Sequence, residues 1–434
     1  MQQIPVLLTP IDRPAALGIA RSLGPRGIAV HGIDTDPLAY GAASKYIKPY
    51  ILPDSEDIEA RKLEYLLQLG RKLGQAVLYP LSDDDVLLCS RERATLEKYF
   101  LFVMPDHSTV QSLLTKDGLT RAAETHGVPV PKMYTVTSQA ELADLADHLP
   151  YPVIIKPVVS TMWLRYEIIE MLRDDPLSSP PKVALCQNAE QLIQTYLHLA
   201  PYDARIIIQE VIPGEDNRLV YLCFYLDRNS RPLALFAGRK MRILPTGFGS
   251  ASYVRSMHHA EMEKIALHLL QNVNYQGLGG MEFKEDPRDG KLKLIEVNVR
   301  FGMWDSLGVR CGVDIPYISY CDALEQPADP QSDNHGEYLR DYRRDYRDNI
   351  AWFDLQRDIR AFLIYRKKKM ITLKEWLNSY KGEKEWAVYA RGDWKPALYE
   401  GLKLMQRPYH SIRDRLPFFR KRNTAASESA IQRD

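Results

Sequence analysis

Residues 279–300 read GGMEFKEDPRDGKLKLIEVNVR. Two strand-like runs, Leu278 to Lys284 and Leu292 to Asn298, flank the turn signal DPRDG, so a β-hairpin is predicted. Side chains two apart on a strand face the same side. Glu296, Asn298 and Arg300 therefore project together, and Glu282 joins them from across the hairpin. Two carboxylates and an amide oxygen are hard donors suited to Mg2+, which usually keeps part of its shell for water and phosphate oxygens. Arg300 beside them faces an anion. Taken alone, an acidic pair on a strand reads better as a solvated face, which is common.

Upstream elements change that balance. Lys156 ends the apolar strand VIIKP and offers a point charge to phosphate. The run IIIQEVIPGED (206–216) passes from an apolar strand into a Pro-Gly turn with acids after it, a shape that makes an adenine slot. Backbone groups near Glu210 and Ile212 are expected at the base edge, and a carboxylate after the turn at the ribose. In AGRKMRILPTGFGS (237–250), Arg239, Lys240 and Arg242 precede a glycine-rich turn, an exposed basic edge or a phosphate contact.

The order lysine, lysine, adenine strand, basic strand, then Glu…Glu-x-Asn-x-Arg resembles the ATP-grasp superfamily over roughly residues 110–324. QEVIPGED, GRKMRILPTGFGS and LIEVNVRFGMWDSLGVRCGVDIP are most similar to its carboxylate–amine ligases. The resemblance implies an ATP-dependent ligase that forms an amide through an acyl phosphate and releases ADP and phosphate. Lys116 (in LLTKDGLTR) and Lys156 would contact ATP phosphates. Gln209, Glu210 and Ile212 would border adenine. Asp216, or Glu215 beside it, would hold ribose. Lys240 would approach the terminal phosphate. Glu282, Glu296 and Asn298 would bind two Mg2+, a role Mn2+ could also fill. Arg300 would stabilise the transferring phosphoryl group. Arg13, Asp83 and the loop after Arg300 are placed on the acceptor side by fold analogy alone. One departure stands out: PVVSTMWLRYEIIE after Lys156 has no glycine, where the family often has a glycine-rich phosphate loop. Ser160 and Thr161 could donate there instead. An ATP-dependent carboxylase or carbamoyl-phosphate-type synthase is the competing enzyme, and a nucleotide-binding regulatory module without catalysis the competing non-enzyme.

The rest of the 434 residues frames this core. Strand-like Ile4 to Thr9, a helix from Pro14 to about Leu23 and a strand from Ile28 to Ile33 read as a doubly wound unit. Its loop, TPIDRPAALG, lacks GxGxxG, so a dinucleotide site is not expected. A Rossmann-like, pre-ATP-grasp domain is expected over residues 1–108. The ATP-grasp domain, two α+β subdomains, is expected over 109–330, a basic and mostly helical region over 331–422, and a disordered tail over 423–434. Leu113 to His126 reads as one helix, Ser138 with Glu141 as a capping box, and Ser160 to Pro181 as a mobile insertion.

Net charge is +1. From Arg360 to Asp434 eighteen Lys/Arg oppose eight Asp/Glu, a net of +10, which leaves −9 for the remainder. Two readings stay open: a basic cap on the acidic body, or weak contact of YRKKK (365–369) and LPFFRKR (416–422) with an anionic membrane or lipid-linked substrate. Five scattered cysteines without a CxxC pair indicate neither a disulfide framework nor a zinc site, and a cytoplasmic, reducing location is expected, peripheral to the membrane's inner face on the second reading. Small carboxylate and amine substrates are expected as partners, and nucleic acid is not.

Overall fold

The computed structural model describes residues 3–53, 55, 57–157, 183–326 and 346–413; side chains are described to residue 404. The proposed insertion after Lys156, LPFFRKR and the tail fall outside these residues.

Short buried runs set the first sheet. VLLT (β1, Val6–Thr9) is wholly buried, and β2 (Val30–Asp34), β3 (Ile47–Ile51), β4 (Ala76–Pro80) and β5 (Phe100–Leu101) pair in parallel in the order β3-β2-β1-β4-β5. Helices Pro14–Leu23, Ile58–Leu73 and Asp83–Arg91 connect them. The loops at the carboxyl ends of β1 and β4, residues 10–13 and 81–83, therefore lie side by side. Leu81 N donates to Thr9 O, and the Thr9 hydroxyl to Asp85.

A second, antiparallel sheet has β6 (Met133–Val136), β7 (Val153–Pro157), β8 (Ala184–Cys186) and β9 (Ile206–Glu210) in the order β6-β9-β7-β8. It has its own core, built from Val136, Ile155, Leu192, Tyr196 and Ile208 among others.

The third sheet is the largest: β10 (Leu219–Leu226), β11 (Pro232–Leu244), β12 (Ser250–Met257), β13 (Gly277–Glu285), β14 (Leu292–Asn298), β15 (Ala351–Phe353) and β16 (Lys384–Trp386), ordered β14-β13-β10-β11-β12-β15-β16. Its two faces carry separate cores, because side chains alternate across a strand: Tyr221, Cys223 and Phe236 join the core under β1 and helix Pro14–Leu23, whereas Val220, Leu222, Met281 and Phe283 join the other.

Several expectations change. Leu113 to His126 is two helices, His107–Leu114 and Lys116–Thr125, with Thr115 extended between them (φ −91°, ψ 145°). Gly118 permits the break, since a Cβ there would sit 2.3 Å from the Ser112 carbonyl oxygen. Ser138 does cap its helix, but Glu141 turns back to the amide and hydroxyl of Thr137, not to Ser138.

The C-terminal region is more than helical. It supplies β15 and β16 to the large sheet and helices Leu355–Lys367, Leu373–Ser379 and Lys395–Arg413 around it. Asp358, fully buried, accepts from Arg242 through both oxygens at 2.8 Å, and from Ser252, Trp376 and Tyr380. At the other end Asp393 accepts from Arg21, Ser44 and the Lys45 amide, and Lys403 pairs with Asp12 and Asp36. The C-terminal region is thus tied to the body by charge pairs of both polarities: its acids Asp358 and Asp393 take cations of the body, and among the described residues only Lys403 pairs a C-terminal base with acids of the body. Among the described residues no helix is long and apolar enough to cross a membrane, and all five cysteines are free and buried.

Candidate active site

The hairpin places its acids as the alternation requires. Glu282 and Glu296 are register partners, as are Gly280 and Asn298. A bulge between Glu282 and Phe283 adds one residue to β14. Asn298 Nδ2 donates to Glu296 Oε1 at 2.8 Å, and Arg300 donates to Asn298 Oδ1 at 3.1 Å. Glu282, Glu296, Asn298 and Arg300 are thus one contiguous polar row.

Lys240 joins the row from β11. Its ammonium forms a short ion pair with Glu282 and lies 5.8 Å from the centroid of the Tyr221 ring. Tyr221 occupies the strand between them and registers with Glu282. Its hydroxyl fits because residue 280 is glycine: a Cβ there would lie 1.9 Å from it. The second glycine of GGME was the one sequence sign of this contact. Burial raises the Glu282 pKa; Lys240 and Lys116 oppose that rise, and the Glu296 charge adds to it. Lys116, at the first turn of helix Lys116–Thr125, is thereby close enough to act on Glu282.

Of the three cations on β11, only Lys240 faces the acids. Arg239 points to the other side, where it pairs with Glu285 at 2.8 Å and lines an open groove of about 660 Å³ with Glu215, Arg218 and Glu285. Arg242 is committed to Asp358. The expected basic cluster is one ammonium: Arg239 faces the opposite side because neighbouring strand residues do, and the register shifts on either side of Arg242 break the alternation that would put it beside Lys240.

The adenine expectations sit on the second sheet. Gln209, buried, accepts from Lys156 Nζ at 2.7 Å, which joins the proposed phosphate lysine to the proposed base slot. The Glu210 amide already donates to Lys132 O, and its carboxylate accepts from the Lys132 amide and from Arg288 at 2.6 Å. That amide is therefore already engaged within the protein. Ile212 is buried beside the turn. Arg288 comes from the hairpin turn, and Lys284 Nζ donates to Gly214 O at 3.0 Å, so the hairpin is tied to the base strand at two places. Asp216 is buried and accepts from the Gly247 amide at 3.1 Å and from the Tyr365 hydroxyl.

Arg300 makes the contact that sequence reasoning missed. Its Nε donates to Asp83 Oδ1 at 2.6 Å, not to Glu282 or Asp305. Burial opposes the guanidinium charge, yet the Asp83 carboxylate leaves its pKa raised overall. Asp83 begins the helix that Ser82 caps, so the serine-acid run SDDD was its only trace in the sequence.

Three observations bear on a bound metal. The donors are two carboxylates and one amide, and the amide's oxygen and nitrogen can exchange places. Burial raises the Glu282 pKa, and the Glu296 charge adds to that rise while Lys240 opposes it. Among the described residues no group of three or more His, Cys, Asp or Glu is arranged to hold a metal ion by itself, so a divalent ion here takes its remaining donors from elsewhere. This fits Mg2+ carried with nucleotide phosphates.

No protein-family model matches the chain. It is 26% identical over 298 residues to a D-aspartate ligase of Enterococcus faecium, covering 66% of this chain and 68% of that protein. Among solved structures it resembles the biotin carboxylase domain of Hydrogenobacter thermophilus 2-oxoglutarate carboxylase, in complex with MgADP, ADP and bicarbonate (TM-score 0.58, 16% identity, 81% of this chain and 74% of that one). It also resembles an L-amino acid ligase from Bacillus licheniformis (TM-score 0.53, 14% identity, 75% of each chain).

Proposed function

We propose that this chain, an ATP-grasp protein of the carboxylate–amine ligase type, activates a substrate carboxylate with ATP and transfers the acyl group to an amine, releasing ADP and phosphate. The observation that carries this is the single row Lys240–Glu282–Glu296–Asn298–Arg300, set against a separate sheet that holds Lys156 and Gln209. Direct attack of an amine on a carboxylate fails because oxide leaves poorly. Phosphorylation supplies a good leaving group, and the protein's part is positioning and charge neutralisation.

Glu282, Glu296 and Asn298 hold Mg2+, two ions in this reading, which neutralise phosphate oxygens when bound. Lys116 and Lys156 steady the phosphates. Lys240, paired with Glu282 across β10, can turn toward the terminal phosphoryl group without leaving its carboxylate. Arg300 presents a planar fork that engages two oxygens at once as charge spreads over the transferring group. Gln209 and Ile212 border the base, and Asp216 at the turn holds the ribose side. Asp216 keeps unused lone pairs for this, since a carboxylate has about four acceptor positions.

Residues 1–108 are read as a Rossmann-like pre-ATP-grasp domain that brings Arg13 and Asp83 to the acceptor side. The D-aspartate ligase relative supports an amino acid as one substrate. Membrane attachment of the basic clusters gains little support, because Tyr365 is buried and Lys368 donates to Thr246.

The test is trapping. With ATP, Mg2+ and a panel of carboxylic acids that includes both aspartate enantiomers, but no amine, hydroxylamine should yield a hydroxamate together with ADP. Amide formation from an active acid that never gives hydroxamate rejects the acyl-phosphate route.

A further inference from the structure

The C-terminal helix Leu355–Lys367 and the residue after it direct four polar side chains to one place. Arg357 donates to Leu244 O at 2.9 Å, Tyr365 accepts from the Ile243 amide at 3.3 Å, and Lys368, just past the helix, donates to Thr246 Oγ1 at 2.8 Å. Asp358 fixes Arg242 on the same strand. All four target residues lie in 242–246, the end of β11 and the start of the glycine-rich turn. Gly247 in that turn has φ +91°, a conformation that suits glycine, and its amide donates to Asp216.

Tyr365 does more than brace the strand. Its hydroxyl donates to Asp216 while accepting from Ile243 N. Asp216 begins the short turn after IPGE, whereas Ile243 ends β11 and Gly247 belongs to the glycine-rich turn that follows it, some thirty residues later. One buried hydroxyl therefore ties together the two loops that bracket the proposed nucleotide site. Burial and the Asp216 carboxylate both raise the tyrosine pKa, so the hydroxyl stays a neutral donor at physiological pH.

We propose that Tyr365 is a positioning residue for the nucleotide: it orients Asp216 and, through it, Gly247, so that the C-terminal region completes the ATP site. This rests on the ATP-grasp reading above and extends it to residues outside the 110–324 stretch that carried the resemblance. A plain structural brace predicts a different outcome. The phenyl ring of Tyr365→Phe fills the same space among Leu244, Ala361 and Ile364, so packing survives. What is lost is one donor to a buried carboxylate and one acceptor for an amide.

Calorimetric titration of full-length protein with a non-hydrolysable ATP analogue and Mg2+ separates the possibilities, with steady-state kinetics alongside. Tyr365→Phe should weaken analogue binding and raise KM for ATP about 5- to 20-fold, the size expected for one or two hydrogen bonds. It should leave kcat and KM for the acid and amine within about twofold. Unchanged analogue affinity in Tyr365→Phe, with wild type binding normally, overturns the inference and leaves the ligase reading standing. So does a uniform fall in kcat with unchanged KM for ATP. Should Tyr365→Phe melt far below wild type, Lys368→Ala, which removes the donor to Thr246 at the same turn, serves as the second variant: a raised KM for ATP there supports the inference, and an unchanged one overturns it. Failure of wild type itself to bind the analogue rejects both readings.

Discussion

Arg300 and Asp83 stand 217 residues apart in sequence and 2.6 Å apart in space. This pair fastens the hairpin that carries the acidic row to the loop at the carboxyl end of β4. Asp83 is half exposed, so the pair adds little stability, in the range of about 0–1 kcal/mol typical of surface pairs. Its value is directional: with Nε held by Asp83 and a terminal nitrogen by Asn298, the guanidinium plane has few orientations left. Asp83→Asn should leave the melting temperature within about 2 °C and lower kcat roughly tenfold, about 1.4 kcal/mol of transition-state positioning. Equal kcat in variant and wild type would mean that Arg300 is oriented by Asn298 alone.

A second prediction concerns pH. Burial pushes the Asp305 carboxyl up to about 6 from 3.8, although the Cys223 thiol and the Gly302 amide donate to it. A folded pKa above the unfolded one means that the native state holds the proton more tightly. Asp305 therefore contributes stability fully below about pH 4 and loses it as pH rises through 6. The span is at most about 3 kcal/mol. Asp305→Asn mimics the protonated form without titrating. Denaturant unfolding from pH 4 to 7.5 should show the variant gaining on wild type as pH rises. A constant difference across that range would show that Asp305 does not titrate there.

How much of this was legible beforehand follows from the range of each interaction. The hairpin face was readable because a period of two and a turn signal are local, and so was the pairing of Glu282 with Glu296. The break at Thr115 was not, because it depends on the Ser112 carbonyl approaching a glycine three residues past it. Arg239, Lys240 and Arg242 look alike in sequence; only the partners Glu285, Glu282 and Asp358, drawn from distant segments, distinguish them. SDDD and YRKKK contain Asp83 and Tyr365 but say nothing of the partners these residues take. Each acts through one contact made by folding, on a residue whose own motif was visible. Strands β15 and β16 were missed because three-residue strands in a basic, aromatic segment have no alternation to count.

The metal prediction draws on the crowded charge between Glu282 and Glu296. These carboxylates face each other across β13 and β14, and the Glu296 charge adds to the rise in the Glu282 pKa that burial produces. Like charges held opposite one another are destabilising unless something neutralises them. Lys240 neutralises Glu282 in part, Arg300 acts on Glu296, and Asn298 donates to Glu296 without adding charge. A divalent cation completes the balance. Glu296→Gln keeps the shape and an oxygen to accept the Asn298 bond, yet removes one of the two charged donors. In the absence of metal the variant should be at least as stable as wild type, because the repulsion is gone. Added Mg2+ should then raise the melting temperature of wild type more than that of Glu296→Gln. In turnover the variant should need roughly tenfold more Mg2+ for half-maximal rate and lose about 100-fold in kcat at saturation, about 2.7 kcal/mol of charge stabilisation. The stability arm needs no substrate, so it is decisive even before the acid and amine are identified: identical Mg2+ responses in the two proteins would place the metal somewhere other than this hairpin.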